Sequence, residues 1–73
     1  MTKITKRSIT IAGHATSITL EDEFWKELQK IASEKQIPLA SLVHQIDKDR
    51  TEKNLSSVLR IYVLNHLKSL LAK

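Results

Sequence analysis

The stretch "GHATSITLEDEFW", Gly13 to Trp25, changes character within a few residues. Ser17 and Thr19 interleave with Thr16, Ile18 and Leu20, the two-residue period of a strand with one polar face. Glu21, Asp22 and Glu23 then arrive as a block, and acids belong at the positive N-terminal end of a helix dipole. The spacing of Phe24, Leu28, Ile31 and Ala32 continues as one helical stripe, with Trp25 just off it. A strand over Thr16–Leu20 therefore runs directly into a helix over about Glu21–Lys35. The open matter is what the hydroxyl face of that strand touches.

Upstream, "KRSITI", Lys6 to Ile11, alternates in the same way, with Ile9 and Ile11 on one side. The spacer "AGHA" is short enough for a hairpin but holds no Asn-Gly or Asp-Gly turn. The first run is thus either a pairing strand or a basic arm, and residues 1–15 are set apart from a domain over 16–71. Downstream, "QIP" breaks the chain, since Pro38 lacks a backbone donor and suits a first helical turn. A second helix follows over about Pro38–Asp49, with Leu39, Leu42, Val43 and Ile46 on one face. "DKDRTEK" reads as a solvated helix end and loop. Asn54 can cap a third helix reaching about Leu71. In that helix Leu55, Val58, Leu59, Tyr62 and Val63 make one stripe, while Ile61, Leu64 and Leu71 fall partly outside it. A helix apolar on more than one side must be covered on more than one side. Three short elements of one chain do that poorly, and a second chain does it well, so a homodimer is expected.

The chain has 73 residues, one domain's worth, and chains of this size are marginal alone. It has no cysteine, which removes disulfides and thiolate zinc sites. His14, His44 and His66 are far apart in sequence and show no metal-ligand spacing, so neither a metal nor another cofactor is expected. No apolar run approaches a membrane span, and the basic N-terminus is followed by no signal core, which points to a cytoplasmic protein. The net charge is +4. Residues 1–20 carry +3 and residues 54–73 another +3, while residues 21–36 sum to −2. That distribution favours an anionic partner.

Catalysis finds no support. One glycine in the whole chain rules out a glycine-rich phosphate cradle, and no nucleophile elbow or zinc-protease motif occurs. Asp47 and Asp49 point to different sides of a helix, and Ser56 and Ser57 read as first-turn helix residues. What remains is a basic N-terminal region, a strand with a hydroxyl face and an amphipathic helical body. A two-stranded antiparallel ribbon fits the major groove of B-DNA, where Ser and Thr can donate to or accept from base edges. With one strand per chain the ribbon needs a dimer. Lys3, Lys6 and Arg7 would then contact phosphates. The dimer core would draw on Ile18, Leu20, Phe24, Leu28, Val58, Leu59, Tyr62 and Val63.

"TSITLEDEFWKELQKIA" resembles the strand and first helix of ribbon-helix-helix proteins, the Arc/MetJ-like fold. "RSITIAGHATSITLEDEFW" with "NLSSVLRIYVLNHL" is similar to one bacterial subfamily of short ribbon-helix-helix proteins. The resemblance spans roughly Lys6 to Lys68. It implies a mostly α fold with a short N-terminal strand, an intertwined homodimer, an intermolecular antiparallel ribbon and, on this pattern, three helices. It also implies a sequence-specific DNA-binding transcriptional regulator. Ala15, Ser17 and Thr19 would face base edges, with Thr16, Ile18 and Leu20 turned inward. The backbone N–H groups of Leu39, Ala40 and Ser41 would sit by a phosphate, or those of Asn54 to Ser57 if the last helix takes the role of second helix. Ala15 stands where the subfamily often has a basic residue, which removes the strongest candidate for a guanine contact. The alternative reading is a homodimeric protein-interaction module, antitoxin-like or an adaptor, without base-specific DNA binding.

Overall fold

A computed structural model describes residues 3–49 and 54–72. Two strands, β1 (Ile4–Ile11) and β2 (His14–Glu21), precede three helices, α1 (Asp22–Glu34), α2 (Leu39–Lys48) and α3 (Leu55–Leu71). The strands pair antiparallel within the chain, from Ile4 opposite Glu21, through Ser8 opposite Ser17, to Ile11 opposite His14. The antiparallel ribbon and the three helices agree with the sequence reading. The partner of the strand does not: β1 of the same chain occupies the place expected of a second chain. The loop shrinks from the four residues of "AGHA" to two, because His14 and Ala15 join β2. Ala12 and Gly13 both have positive φ, 51° and 82°. That is the requirement of the two-residue type I′ turn, with Ala12 in the place that Asn or Asp usually takes.

The helices cover one face of this hairpin. Ile11, Ile18 and Leu20 are buried from the sheet side, with Ile9 packed against them. They meet Leu28, Ile31 and Ala32 of α1, Leu42, Val43 and Ile46 of α2, and Leu59 and Val63 of α3. The acids Asp22 and Glu23 sit in the first turn of α1, as the dipole favours. The far end of α1 closes by a Schellman pattern: the N–H of Ile37 donates to the carbonyl of Ala32, and that of Gln36 to Ser33. Gln36 holds the left-handed position, with φ 58°. Pro38 caps α2 from outside it, its carbonyl accepting from the N–H groups of Ser41 and Leu42. Asn54 caps α3 as its type predicts, its side-chain oxygen accepting from the N–H of Ser57 at 3.3 Å. The charged connector read from the sequence falls largely on residues 50–53, outside the described residues.

Five residues expected in a dimer core, Ile18, Leu20, Leu28, Leu59 and Val63, are buried within the single chain. The physical reason is α3. It packs against β2, α1 and α2 of its own chain and covers from below what a partner was expected to cover. Phe24, Val58 and Tyr62 pack partly buried around that core.

Candidate nucleic-acid interface

The face of the hairpin turned away from the helices is exposed and, beyond the exposed Ile4 at its end, largely polar. Its register sets Lys6 opposite Thr19, Ser8 opposite Ser17 and Thr10 opposite Ala15, and all six side chains are exposed. Successive outward residues on a strand lie about 7 Å apart, and the two strands about 5 Å. The face is therefore a narrow ribbon of five polar side chains and one methyl. Ala15, Ser17 and Thr19 all lie on it. Ser8 and Thr10, which the sequence reading did not name, share this face, and so does Lys6, named there as a phosphate contact. The parity of "KRSITI" held the signal, since Lys6, Ser8 and Thr10 alternate against Ile9 and Ile11.

Arg7 has the parity of the isoleucines and lies on the inner side. Its Nη2 donates to Asp22 Oδ1 at 3.1 Å, and its guanidinium carbon stands 4.7 Å from the centre of the Trp25 ring. Asp22 also accepts from the Thr5 hydroxyl at 3.0 Å. Hydrogen bonding from Thr5, then from Arg7, holds the Asp22 carboxyl below its ordinary 3.8, against the opposing pull of desolvation. Arg7 thus ties β1 to the start of α1, and Lys6 is the cation that β1 presents outward. Lys3 is exposed just before β1.

A second cation is held in the same way. Arg60 of α3 donates through Nε to Glu21 Oε1 at 2.8 Å, and this bond keeps the Glu21 carboxyl below its ordinary 4.5. Beside it, the N–H of Thr19 donates to the Ser56 hydroxyl oxygen at 3.3 Å. So α3 lies along the outer edge of β2 and uses a backbone donor that a further strand would need.

The two helix starts considered for an anion differ. The N-terminus of α3 is occupied by the Asn54 side chain and by Ser56 on Thr19. The N-terminus of α2 has no side-chain cap, and Leu39, Ala40 and Ser41 are half-buried there. The structure also brings His14 and His44, 30 residues apart, to one cavity of about 240 Å³ with Thr16 and Asp47. No group of three metal-ligating side chains forms among the described residues. Sequence separation concealed this meeting because the β1–β2 turn folds back over α2.

No curated protein and no solved structure matches the chain. A family model described as the ribbon-helix-helix domain matches residues 4–67, which takes in the hairpin and all but the last turn of α3. By that match and by its ribbon followed by helices, the chain belongs to the ribbon-helix-helix domain family.

Proposed function

We propose that this protein is a homodimeric, sequence-specific DNA-binding regulator that sets the outer face of its hairpin in the major groove. Proteins with this domain are generally DNA-binding transcriptional regulators, typically without enzymatic activity. The observation that carries the reading is the exposed ribbon face of Lys6, Ser8, Thr10, Ala15, Ser17 and Thr19. A two-stranded ribbon has the width of the major groove, and hydroxyls bond to base edges there. Lys6 and Lys3 would pair with phosphates, and Arg7, engaged with Asp22, takes no such part in the proposal. The start of α2 has no side-chain cap, which supports a backbone contact to phosphate there through Leu39 and Ala40 rather than at the capped start of α3; the N–H of Ser41, expected to join them, already donates to the Pro38 carbonyl. Among the described residues no helix is long and apolar enough to cross a membrane. The reading places the protein in the cytoplasm, with DNA.

The test begins with selection of a preferred site from random duplexes. Thr19→Ala and Ser17→Ala leave the charge unchanged and remove one hydroxyl each. Each is expected to weaken binding to the preferred site by about 1–3 kcal/mol and to spare non-specific binding. Equal affinity of the parent and both variants for that site would remove base reading by the hydroxyl face. Failure to bind any duplex at low salt would favour the protein-interaction module.

A further inference from the structure

The two edges of the hairpin differ in what covers them. Across a two-residue turn the flanking pair, here Ile11 and His14, exchanges both of its backbone hydrogen bonds. Bonded and non-bonded pairs then alternate along an antiparallel ladder. Arg7 with Ile18 and Thr5 with Leu20 are therefore bonded pairs, while Lys6 with Thr19 and Ser8 with Ser17 are not. The N–H and C=O of a non-bonded residue point away from the partner strand, toward the edge. Two observations agree with this phase. The N–H of Thr19 leaves the ladder for Ser56 of α3, and the N–H of Asp22 donates to the Lys3 carbonyl at 3.0 Å, one pair beyond the strand ends. On β1 the same alternation turns the backbone groups of Ile4, Lys6, Ser8 and Thr10 outward. Among the described residues no hydrogen bond reaches them. One edge of the ribbon is thus occupied by a helix, and the other is an eight-residue strand with an open backbone.

We infer that the open edge of β1 receives an extended acidic segment of another protein as a third strand. An uncovered edge gives affinity through main-chain bonds and selectivity through the side chains that alternate along it. Charge decides the occupant. Residues 3–11 carry Lys3, Lys6 and Arg7 and no acid. Arg7 is engaged with Asp22 on the inner side, so Lys3 and Lys6 are the exposed cations beside the edge. A second β1 laid there would add the same cations and no acid, and like charges close across strands destabilise a pair. A carboxylate set beside Lys6 reverses that sign. Ile4, 56% exposed and two residues from Lys6 on the same face, suits an apolar neighbour, and Ser8 and Thr10 suit small polar ones. The segment that fits therefore carries an apolar residue, an acid and small polar residues at every second position.

This docking does not rest on the DNA reading, and its test contains no DNA. The probe is a blocked synthetic peptide of strand length, with Ile, Glu, Ser and Thr at alternate positions and Thr between them. The readout is amide hydrogen exchange of the full chain, followed residue by residue by NMR. In the free protein the amides of Lys6, Ser8 and Thr10 are expected to exchange fast, and those of Arg7 and Ile9 slowly. Saturating peptide is expected to slow the first three by at least about tenfold and to leave Thr19, held by Ser56, as it was. The same peptide with Lys in place of Glu, or with its edge-facing amides methylated, is expected to bind at least about tenfold more weakly. Lys6→Glu is expected to reverse the preference, rejecting the acidic peptide and admitting the Lys one. The peptide changes leave the protein untouched, so they decide the matter if Lys6→Glu disturbs the fold. No slowing at millimolar acidic peptide, or equal binding of the acidic and Lys peptides, overturns the inference. So does slowing confined to other elements. Amides at Lys6, Ser8 and Thr10 that are already slow without peptide, and slower at higher protein concentration, would give the edge to a second copy and overturn it as well.

Discussion

Two neighbouring cations of β1, Lys6 and Arg7, illustrate what strand parity decides. Lys6 points outward beside Thr19, and Arg7 points inward to Asp22 and Trp25. Their substitutions should separate cleanly. Lys6→Ala is expected to weaken binding to all duplexes and to flatten the log–log salt dependence by about 0.9 per lost phosphate contact, with the thermal midpoint unchanged. Arg7→Ala should lower the thermal midpoint, because it removes the bond between β1 and α1. A lower salt slope for Arg7→Ala with unchanged stability would return it to the phosphate surface. The inward position of Arg7 was legible in its alternation with Ile9 and Ile11. The aromatic ring and carboxylate that receive it were not, because both belong to another element. Acid stability follows from the same contacts. Glu21 and Asp22 are held below their ordinary values of 4.5 and 3.8. A carboxyl depressed in the folded state contributes stability above its unfolded value and loses it as the pH falls through the folded one. Urea midpoints should therefore hold steady, as far as these two groups are concerned, down to about pH 5 and then drop. Glu21→Gln with Asp22→Asn should remove that part of the drop. An acid limb identical to the parent's would show that the two contacts do not form in solution.

At the scale of elements, the helices were the readable part. Stripes at helical spacing, the acids at the start of α1, Pro38 and Asn54 gave expected bounds of 21–35, 38–49 and 54–71, each within a residue of the helices observed. The strand pairing was not readable in the same way. Alternation says which side chains share a face, and it is silent on which chain supplies the neighbouring strand. The turn that decides this has Ala12 where Asn would have announced it. Left-handed backbone costs an ordinary L-residue about 1–2 kcal/mol, and Asn pays less. Ala12→Asn is thus expected to stabilise the chain by about 1 kcal/mol in urea unfolding. A neutral or destabilising result would argue against a two-residue turn at 12–13. Gln36, at the left-handed end of α1, is the parallel position.

Across the whole molecule, α3 determines how much one chain does alone. It covers the underside of β2 and α1, so that 11 apolar residues among those described are buried within the chain. The sequence reading found that α3 is apolar on more than one side and called on a second chain for part of the cover, because spacing does not reveal which side folds back. Ile18→Ala follows from this arrangement. It removes a side chain that is 1% exposed in the middle of that core and should cost about 2–5 kcal/mol of stability. Its preference among duplexes should stay that of the parent wherever it remains folded. A changed preference at unchanged stability would place Ile18 on the reading face. The ribbon closed in one chain has one more consequence, concerning information. A ribbon built from two copies of one strand must spell the same three letters twice, forward and back about its own axis. Here the outer positions 6, 8, 10, 15, 17 and 19 belong to one chain, so each can change without changing another. If that face reads bases while Lys6 holds a phosphate, the vocabulary grows from three independent letters to five, and each half-site is free of any palindrome of its own. Symmetry then enters the operator at one level only, in the spacing and orientation of two such words.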